Sequence, residues 1–169
     1  MKNQTGFTSL EILGIAIRAE QAAAGYYQKI IRLVPFPSLR DKLKFLVNEE
    51  KRHQRILTTL YRQKFPEVQL IKPRISTTPE PIIPPKGKIS VSVLLKYAMK
   101  AEQAAEKFYL RFSRQINDTQ GWLLLTYLAK VENSHYYLLK NELDLITAGH
   151  KVKELRQIYQ GDRAVHVGP

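Results

Sequence analysis

The sequence has no cysteine among its 169 residues and no long apolar run. Without cysteine there can be no disulfide, thiolate nucleophile, cysteine-held zinc or iron centre of the rubredoxin type. No stretch reaches the roughly 18 apolar residues of a membrane span, and residues 1–5 do not lead into the apolar segment of an export signal. We therefore expect a cytoplasmic protein that is neither exported nor inserted in a membrane.

Acidic residues are scarce: 15 Asp and Glu oppose 27 Lys and Arg, and the formal net charge is +12. Such a charge attracts anionic partners, including nucleic acid, lipid headgroups and acidic redox proteins, but it selects none of them. The glycine and aromatic signatures of single-strand-binding modules are missing. A solvated basic surface is therefore the favoured interpretation, and nucleic-acid binding is left open without support.

A composition of 44% hydrophobic and 25% charged residues is typical of one folded domain, here residues 1–169. Apolar residues recur at helical spacing in four segments bounded by capping or helix-breaking residues. Thr8-Ser9-Leu10-Glu11 is a capping-box pattern. The expected helices run from Ser9 to the prolines at 35 and 37, from Ser38 to about Lys64, from Ser90 to a turn at 117–119, and from that turn to about Ala148, with Gly149 as the stop.

Two segments lack this pattern. Residues 66–88 contain six prolines, which predicts a long crossover along a bundle or an arm reaching another subunit. Residues 150–169 form a C-terminal extension in which Val152, Leu155 and Ile158 predict a short helix; His150 and His166 receive no role. The predicted fold is all-α, an antiparallel four-helix bundle of two helical hairpins joined by the crossover.

The two hairpins are copies of one another in sequence. Ala19-Glu20-Gln21-Ala22-Ala23 matches Ala101-Glu102-Gln103-Ala104-Ala105 at an offset of 82 (102 − 20). The same offset, without a gap, relates Tyr27 to Tyr109, Glu50 to Glu132 and His53 to His135. An internal duplication of a helical hairpin predicts a bundle with pseudo-two-fold symmetry.

Each copy carries a Glu-x-x-His pair, whose two side chains share one helix face. A single pair would favour an exposed polar position. Glu50 and His53, however, occupy places in a stripe of leucines, as do Glu132 and His135. Glu20 and Glu50 each lie 15 residues from Pro35 (35 − 20 and 50 − 35), and their counterparts lie 15 from Asn117, so all four carboxylates should share one level of the bundle.

Four carboxylates on apolar faces at one level would repel one another and lose hydration, so the pattern demands positive charge. Two divalent cations would balance four ionised glutamates, and two neutral imidazoles would add ligands. A set of oxygen and nitrogen donors suits iron or manganese, with zinc as an alternative. The predicted ligands to two metal ions are Glu20, Glu50, His53, Glu102, Glu132 and His135.

Over residues 9–148 these motifs resemble the rubrerythrin-like family of the ferritin-like di-iron carboxylate superfamily. The resemblance implies iron at the six ligands. It also implies that Tyr27 and Tyr109 hydrogen-bond ligand carboxylates, with core aromatics as the alternative interpretation. Rubrerythrins proper carry an additional glutamate ligand where this sequence has Ala105, so Glu106, one residue later, is a weak candidate ligand.

The expected function is two-electron redox chemistry on hydrogen peroxide or dioxygen, or oxidation of ferrous iron. The cysteine-rich rubredoxin domain is missing, so electrons would come from a separate donor. The alternatives are a metal-stabilised protein that binds an anionic partner through its basic surface, and an iron store. A homodimer is the expected assembly, and the proline-rich arm is long enough to permit an exchange of helices between its subunits.

Overall fold

The computed structural model describes residues 7–70 and 89–163, with side chains described as far as Gly149. Its elements are α1 (Ser9–Ile31), α2 (Pro37–Lys64), α3 (Val91–Ser113) and α4 (Thr119–Arg163). No strand occurs in these ranges. The predicted all-α four-helix architecture is confirmed. Most of the crossover predicted at 66–88 lies outside the described residues, and the assignment of 1–169 to a single domain stays a prediction.

Three helix starts follow the local sequence signals. Thr8 caps α1 and forms a complete capping box with Glu11, as predicted. The hydroxyl of Ser90 accepts a hydrogen bond from the backbone N–H of Val93 at 3.3 Å, and Asp118 accepts one from Gly121 at 2.7 Å at the start of α4. These side chains satisfy N–H groups that the first turn of a helix leaves without a backbone partner.

Two predicted boundaries are wrong. The cap of α2 is Phe36, not Ser38, and the helix begins at Pro37, whose fixed φ and missing N–H suit the first helical position. The predicted stop at Gly149 is also wrong, because α4 continues without a break to Arg163 and there is no separate short C-terminal helix. Glycine ends a helix when it adopts positive φ, which Gly149 does not, and good helix formers follow it.

The helices pack as two antiparallel hairpins. α1 packs mainly against α2 and α3 packs mainly against α4, whereas the hairpins meet more sparsely through α1 with α3 and α2 with α4. Val34, at the first hairpin turn, packs near Leu94 and Leu95 at the start of α3, and Ile116, at the second turn, packs near Ile12 at the start of α1. The two turns therefore lie at opposite ends, as a two-fold axis perpendicular to the bundle requires.

The apolar core consists of two clusters, one at each end of the bundle. Nearly every residue of the predicted stripes is buried, with Ile31 half-buried as an exception. The cluster at one end contains Leu57 and Leu125, and the cluster at the other contains Leu43 and Leu139. The polar side chains that interrupt the stripes occupy the level between the two apolar clusters.

No helix in the described part of the chain is both long enough and apolar enough to cross a bilayer.

Two helical glycines provide a matched test of the packing. A Cβ on Gly25 would meet nothing within 4 Å, so Gly25→Ala should stabilise the protein by about 1 kcal/mol through helix propensity. A Cβ on Gly121 would collide with the side chain of Ile116 and lie 2.8 Å from Asp118 Oδ2, displacing the cap of α4. Gly121→Ala should therefore destabilise it by about 1 kcal/mol. Calorimetric melting temperatures should move in opposite directions, and a rise for both variants would contradict the described packing.

Candidate metal centre

Six ionisable side chains converge at the middle of the bundle. The relative exposures of the four carboxylates are 3% for Glu20, 1% for Glu50, 3% for Glu102 and 2% for Glu132. The two histidines are equally buried. The helical spacing that places leucines in the core places these residues there too, so their convergence follows from the sequence pattern.

One group forms around His53. Its Nδ1 lies 3.3 Å from Glu20 Oε2, 3.5 Å from Glu50 Oε2 and 3.6 Å from Glu132 Oε1. Three carboxylates from three helices thus face one imidazole nitrogen. The ligand atoms of these four residues all lie within 4.8 Å of one another, which is the spacing that a shared cation requires.

The second group forms around His135 and repeats the first. Its Nδ1 lies 3.2 Å from Glu50 Oε1, 3.7 Å from Glu102 Oε2 and 3.5 Å from Glu132 Oε2. Glu50 and Glu132 therefore take part in both groups, each through both of its oxygens. The two groups define two candidate metal positions. Glu50 and Glu132 are common to both, Glu20 and His53 belong to the first, and Glu102 and His135 complete the second.

The inward atoms of this cluster have no hydrogen-bond partner. The unpaired buried atoms are Glu20 Oε2, both carboxylate oxygens of Glu50, Glu132 Oε1, His53 Nδ1, His53 Nε2 and His135 Nδ1. All but Nε2 of His53 belong to the distances above. Buried polar atoms are normally paired, so a convergent set without partners fits two cations. Every donor is oxygen or nitrogen, the set that iron and manganese accept.

A buried glutamate elsewhere in the bundle shows how a carboxylate is stabilised without a metal. Glu142, on the core side of α4, forms an ion pair with Lys42 of α2. At the central cluster the ion-pair partners of the carboxylates, among the described residues, are the two histidines. Two imidazoles cannot balance four carboxylates, even when both are protonated, so the cluster differs in kind from the Glu142 pair.

Two tyrosines hydrogen-bond the outer glutamates across the hairpins. Tyr27 of α1 donates to Oε1 of Glu102 on α3, and Tyr109 of α3 donates to Oε1 of Glu20 on α1. Each glutamate thus presents its other oxygen, Oε2, to a histidine. Such hydrogen bonds orient a ligand carboxylate. The hydrogen bonds expected from the family resemblance are present.

Without cations, burial and mutual repulsion make it unfavourable for all four carboxylates of the cluster to be ionised. Burial and then the neighbouring carboxylates raise the pKa of Glu50 and of Glu132 well above the ordinary value. Burial also opposes ionisation of Glu102, but favourable interactions with Glu132, His135 and Tyr27 outweigh it and lower that pKa. The metal-free site therefore retains protons on Glu50 and Glu132, the two residues between the metal positions.

The burial and negative charge of the cluster also affect the two tyrosines. Burial and then the nearby carboxylates raise the pKa of Tyr27 and of Tyr109 well above the ordinary value. Both phenols therefore remain protonated and act as hydrogen-bond donors at neutral pH.

A small cavity reaches the cluster from the side of α1 and α3. Its volume is about 20 Å³, room for one water-sized molecule. Its walls contain oxygens of the four glutamates, the tyrosines at 26 and 27, and a set of alanines at equivalent positions of the repeat: Ala19, Ala23, Ala101 and Ala105. Small side chains on the two facing helices leave this space, while the histidines approach from α2 and α4.

Glu106, the weak candidate ligand, lies outside both groups of ligand atoms. It is half-buried and accepts a hydrogen bond from Asn133 at 2.8 Å. Ala105, at the place of the additional glutamate in rubrerythrins proper, contributes a wall of the cavity instead. Asn133, Tyr26 and the alanine walls were not predicted from the sequence. The repeated Ala-Glu-Gln-Ala-Ala run was the available signal for the alanines.

Comparisons with known proteins agree with this arrangement. A family model described as Rubrerythrin matches residues 11–143. A solved hypothetical protein from Pyrococcus furiosus is 30% identical, with a TM-score of 0.72 over 86% of this chain and 94% of that one. A solved uncharacterised conserved protein from Magnetospirillum magnetotacticum MS-1 is 20% identical and has the same fold, with a TM-score of 0.61 over 82% and 95% of the two chains. No curated protein matches.

The raised pKa values predict opposite effects of pH on the metal-free and metal-loaded proteins. Glu50 and Glu132 bind protons more tightly in the folded than in the unfolded chain, so the metal-free protein should lose stability as pH rises from 5 to 8. The raised pKa of His135 acts in the same direction, and the lowered pKa of Glu102 acts only below the ordinary value of 4.5. Metal binding releases these protons, so stabilisation by Mn²⁺ should grow over the same interval.

Melting temperatures at pH 5 and 8, with and without Mn²⁺, measure how stability changes with pH in the metal-loaded and metal-free proteins. The double variant Glu50→Gln/Glu132→Gln should reduce both changes, because glutamine does not titrate. A metal-free protein that becomes more stable as the pH rises would contradict the description of the cluster.

Proposed function

Since the chain belongs to the rubrerythrin family, we propose that it is a di-iron protein that reduces hydrogen peroxide or dioxygen with electrons from a separate donor. The observation that carries this proposal is the sharing of Glu50 and Glu132 between the two groups of ligand atoms. Two carboxylates common to both positions favour a pair of adjacent metal ions over two independent sites.

The ligand set supports iron. Each position has three carboxylates and one imidazole within reach, without a thiolate. Manganese fits the same donors, and zinc would fit them without redox activity. We propose that Glu20 and His53 hold one ion, that Glu102 and His135 hold the other, and that Glu50 and Glu132 bridge them.

A pair of ferrous ions would supply the two electrons that the reaction consumes. For peroxide the balance is one H₂O₂, two electrons and two protons to two waters. The protein side chains orient the site and exclude water: Tyr27 and Tyr109 direct the outer carboxylates, and the leucines above and below keep the level dry. These tyrosines also hold protons beside the carboxylates that border the cavity.

The cavity supports a small oxygen species as substrate. A space of about 20 Å³ has room for one water-sized molecule, which favours a small oxygen species over an organic substrate. Its lining contains the four glutamates that would hold the metal ions and neither histidine, so a small substrate would approach from the carboxylate side. Oxidation of ferrous iron for storage would instead require a path for an added cation.

The bridging role is tested by removing charge at the shared positions. Glu50→Gln/Glu132→Gln should lower bound iron from two ions per chain to fewer than one and abolish the absorbance change on mixing the reduced, loaded protein with peroxide. Glu49→Gln is the control, because Glu49 is adjacent to Glu50 in sequence but forms an ion pair with Arg52 outside the cluster. It should retain both ions and the full reaction.

Metal analysis, anomalous scattering at the iron, manganese and zinc edges, and stopped-flow absorbance provide the measurements. A wild-type protein that binds two ferrous ions but is oxidised by neither peroxide nor oxygen would refute the redox function and favour a structural metal site.

The cavity is tested by filling it. Ala105→Leu adds three carbon atoms to a wall beside Glu102 and should slow oxidation by peroxide at least about tenfold, with two irons still bound. Ala104→Leu, one position away and outside the cavity lining, should react at the wild-type rate. Equal rates for both variants would show that substrate reaches the irons by another path.

A further inference from the structure

The outer face of α3 carries a straight row of cations. Positions 96, 100, 103, 107, 111 and 114 follow the spacing of one helix face. Five of the six are basic and all five are exposed: Lys96, Lys100, Lys107, Arg111 and Arg114. The row, called here the α3 basic stripe, spans 18 residues (114 − 96), or about 27 Å.

The α3 basic stripe has no compensating acid on its own helix. The acidic residues of α3 are Glu102, which belongs to the metal cluster, and Glu106, which is half-buried and bonded to Asn133. None of the five cations forms an ion pair within the described residues. By contrast, Lys44 pairs with Asp41 on α2, and Lys140 pairs with Asp144 on α4.

The duplication shows that the fold does not require this row. At the offset of 82, the α1 counterparts of Lys96 and Lys107 are Gly14 and Gly25. The counterparts of the other three stripe cations are basic: Arg18, Lys29 and Arg32. Gly14 is buried whereas Lys96 and Lys107 are exposed, so the two added cations belong to the outer surface of α3 and not to the core of the bundle.

The stripe lies over the metal centre. Lys100 is two residues before Glu102 and Lys107 is five residues after it, so the row runs past the level of the carboxylates on the outward side of the same helix. A partner resting on this face would lie about one helix diameter, roughly 10–12 Å, from the cluster. The cavity beside the cluster is lined in part by Ala101 and Ala105 of the same helix.

We propose that the α3 basic stripe is the docking surface for a small acidic protein that carries one electron at a time, an inference that rests on the proposed redox function. Two successive binding events would supply the two electrons transferred to each peroxide, and each event would oxidise one carrier molecule by one electron. These 169 residues contain no cysteine to hold an iron–sulfur or rubredoxin centre, so a carrier docked on the surface would supply the electrons.

The dimensions and chemistry of the stripe favour a protein over other anions. A row of about 27 Å matches the width of a standard interface, about 800 Å² per partner. Beside the stripe, Leu110 of α3 is an exposed apolar side chain, at 41%, and one such side chain is too little for insertion into a lipid surface. Charge rows of this kind accelerate encounter and weaken steeply with salt, as transient electron-transfer complexes require.

Charge reversal provides the test. Lys100→Glu/Lys107→Glu should weaken binding of an acidic [2Fe–2S] ferredoxin, used as the probe, by about tenfold or more at 50 mM salt. Lys44→Glu/Lys51→Glu on α2 is the control: it replaces two exposed lysines with the same seven-residue spacing and should change binding less than about twofold. Fluorescence anisotropy at 50 and 300 mM salt measures the affinities, with a DNA duplex and anionic phospholipid vesicles as competing probes.

The iron-loaded variants separate this inference from the proposed function. Oxidation of the reduced ferredoxin in the presence of peroxide should slow in the α3 variant and not in the α2 variant, while two irons remain bound and reduction by dithionite is unchanged. Equal loss in both variants, or tighter binding of DNA or vesicles than of ferredoxin, would overturn the docking proposal and leave the metal centre standing. Loss of iron or of the dithionite reaction in the wild type would overturn the redox function itself.

Discussion

Four carboxylates buried at one level of an apolar bundle are the constraint on which the rest of the structure depends. Their mutual repulsion and lost hydration raise the pKa of Glu50 and Glu132, whose inward oxygens have no hydrogen-bond partner. Ion pairing of the Glu142 kind does not resolve this, because the cluster lacks a lysine partner among the described residues. Two cations would resolve it, so metal binding and stability of the folded chain are coupled.

The duplication explains how the constraint is met with short-range sequence rules. One hairpin supplies a glutamate, a Glu-x-x-His pair and a tyrosine, and its copy supplies the same set. Each tyrosine bonds the glutamate of the other copy, so the hairpins are joined by hydrogen bonds at the level where apolar packing is interrupted. The internal symmetry does not extend to the surface, because only three of the five cations of the α3 basic stripe have a basic counterpart on α1.

The parts of the fold that depend on local signals were predictable. Capping at Thr8 and Ser90, the burial of the leucine stripes and the convergence of the four glutamates and two histidines follow from local sequence signals. The start of α2 and the continuation of α4 were not predictable, because Pro37 and Gly149 are compatible with more than one local conformation. Glu106 could be separated from the cluster only through its hydrogen bond to Asn133, 27 residues later.

The sequence by itself determined which side chains lie on the inner faces and at which level, because a period of 3.6 residues and an offset of 82 leave little freedom. Tertiary structure decided which glutamates are shared, which tyrosine bonds which carboxylate, and where the alanines leave a cavity. Those facts depend on how four helices are placed in space. Distances of 3 to 4 Å between residues as far apart as 53 and 132 cannot be read from the periodicity of any one helix.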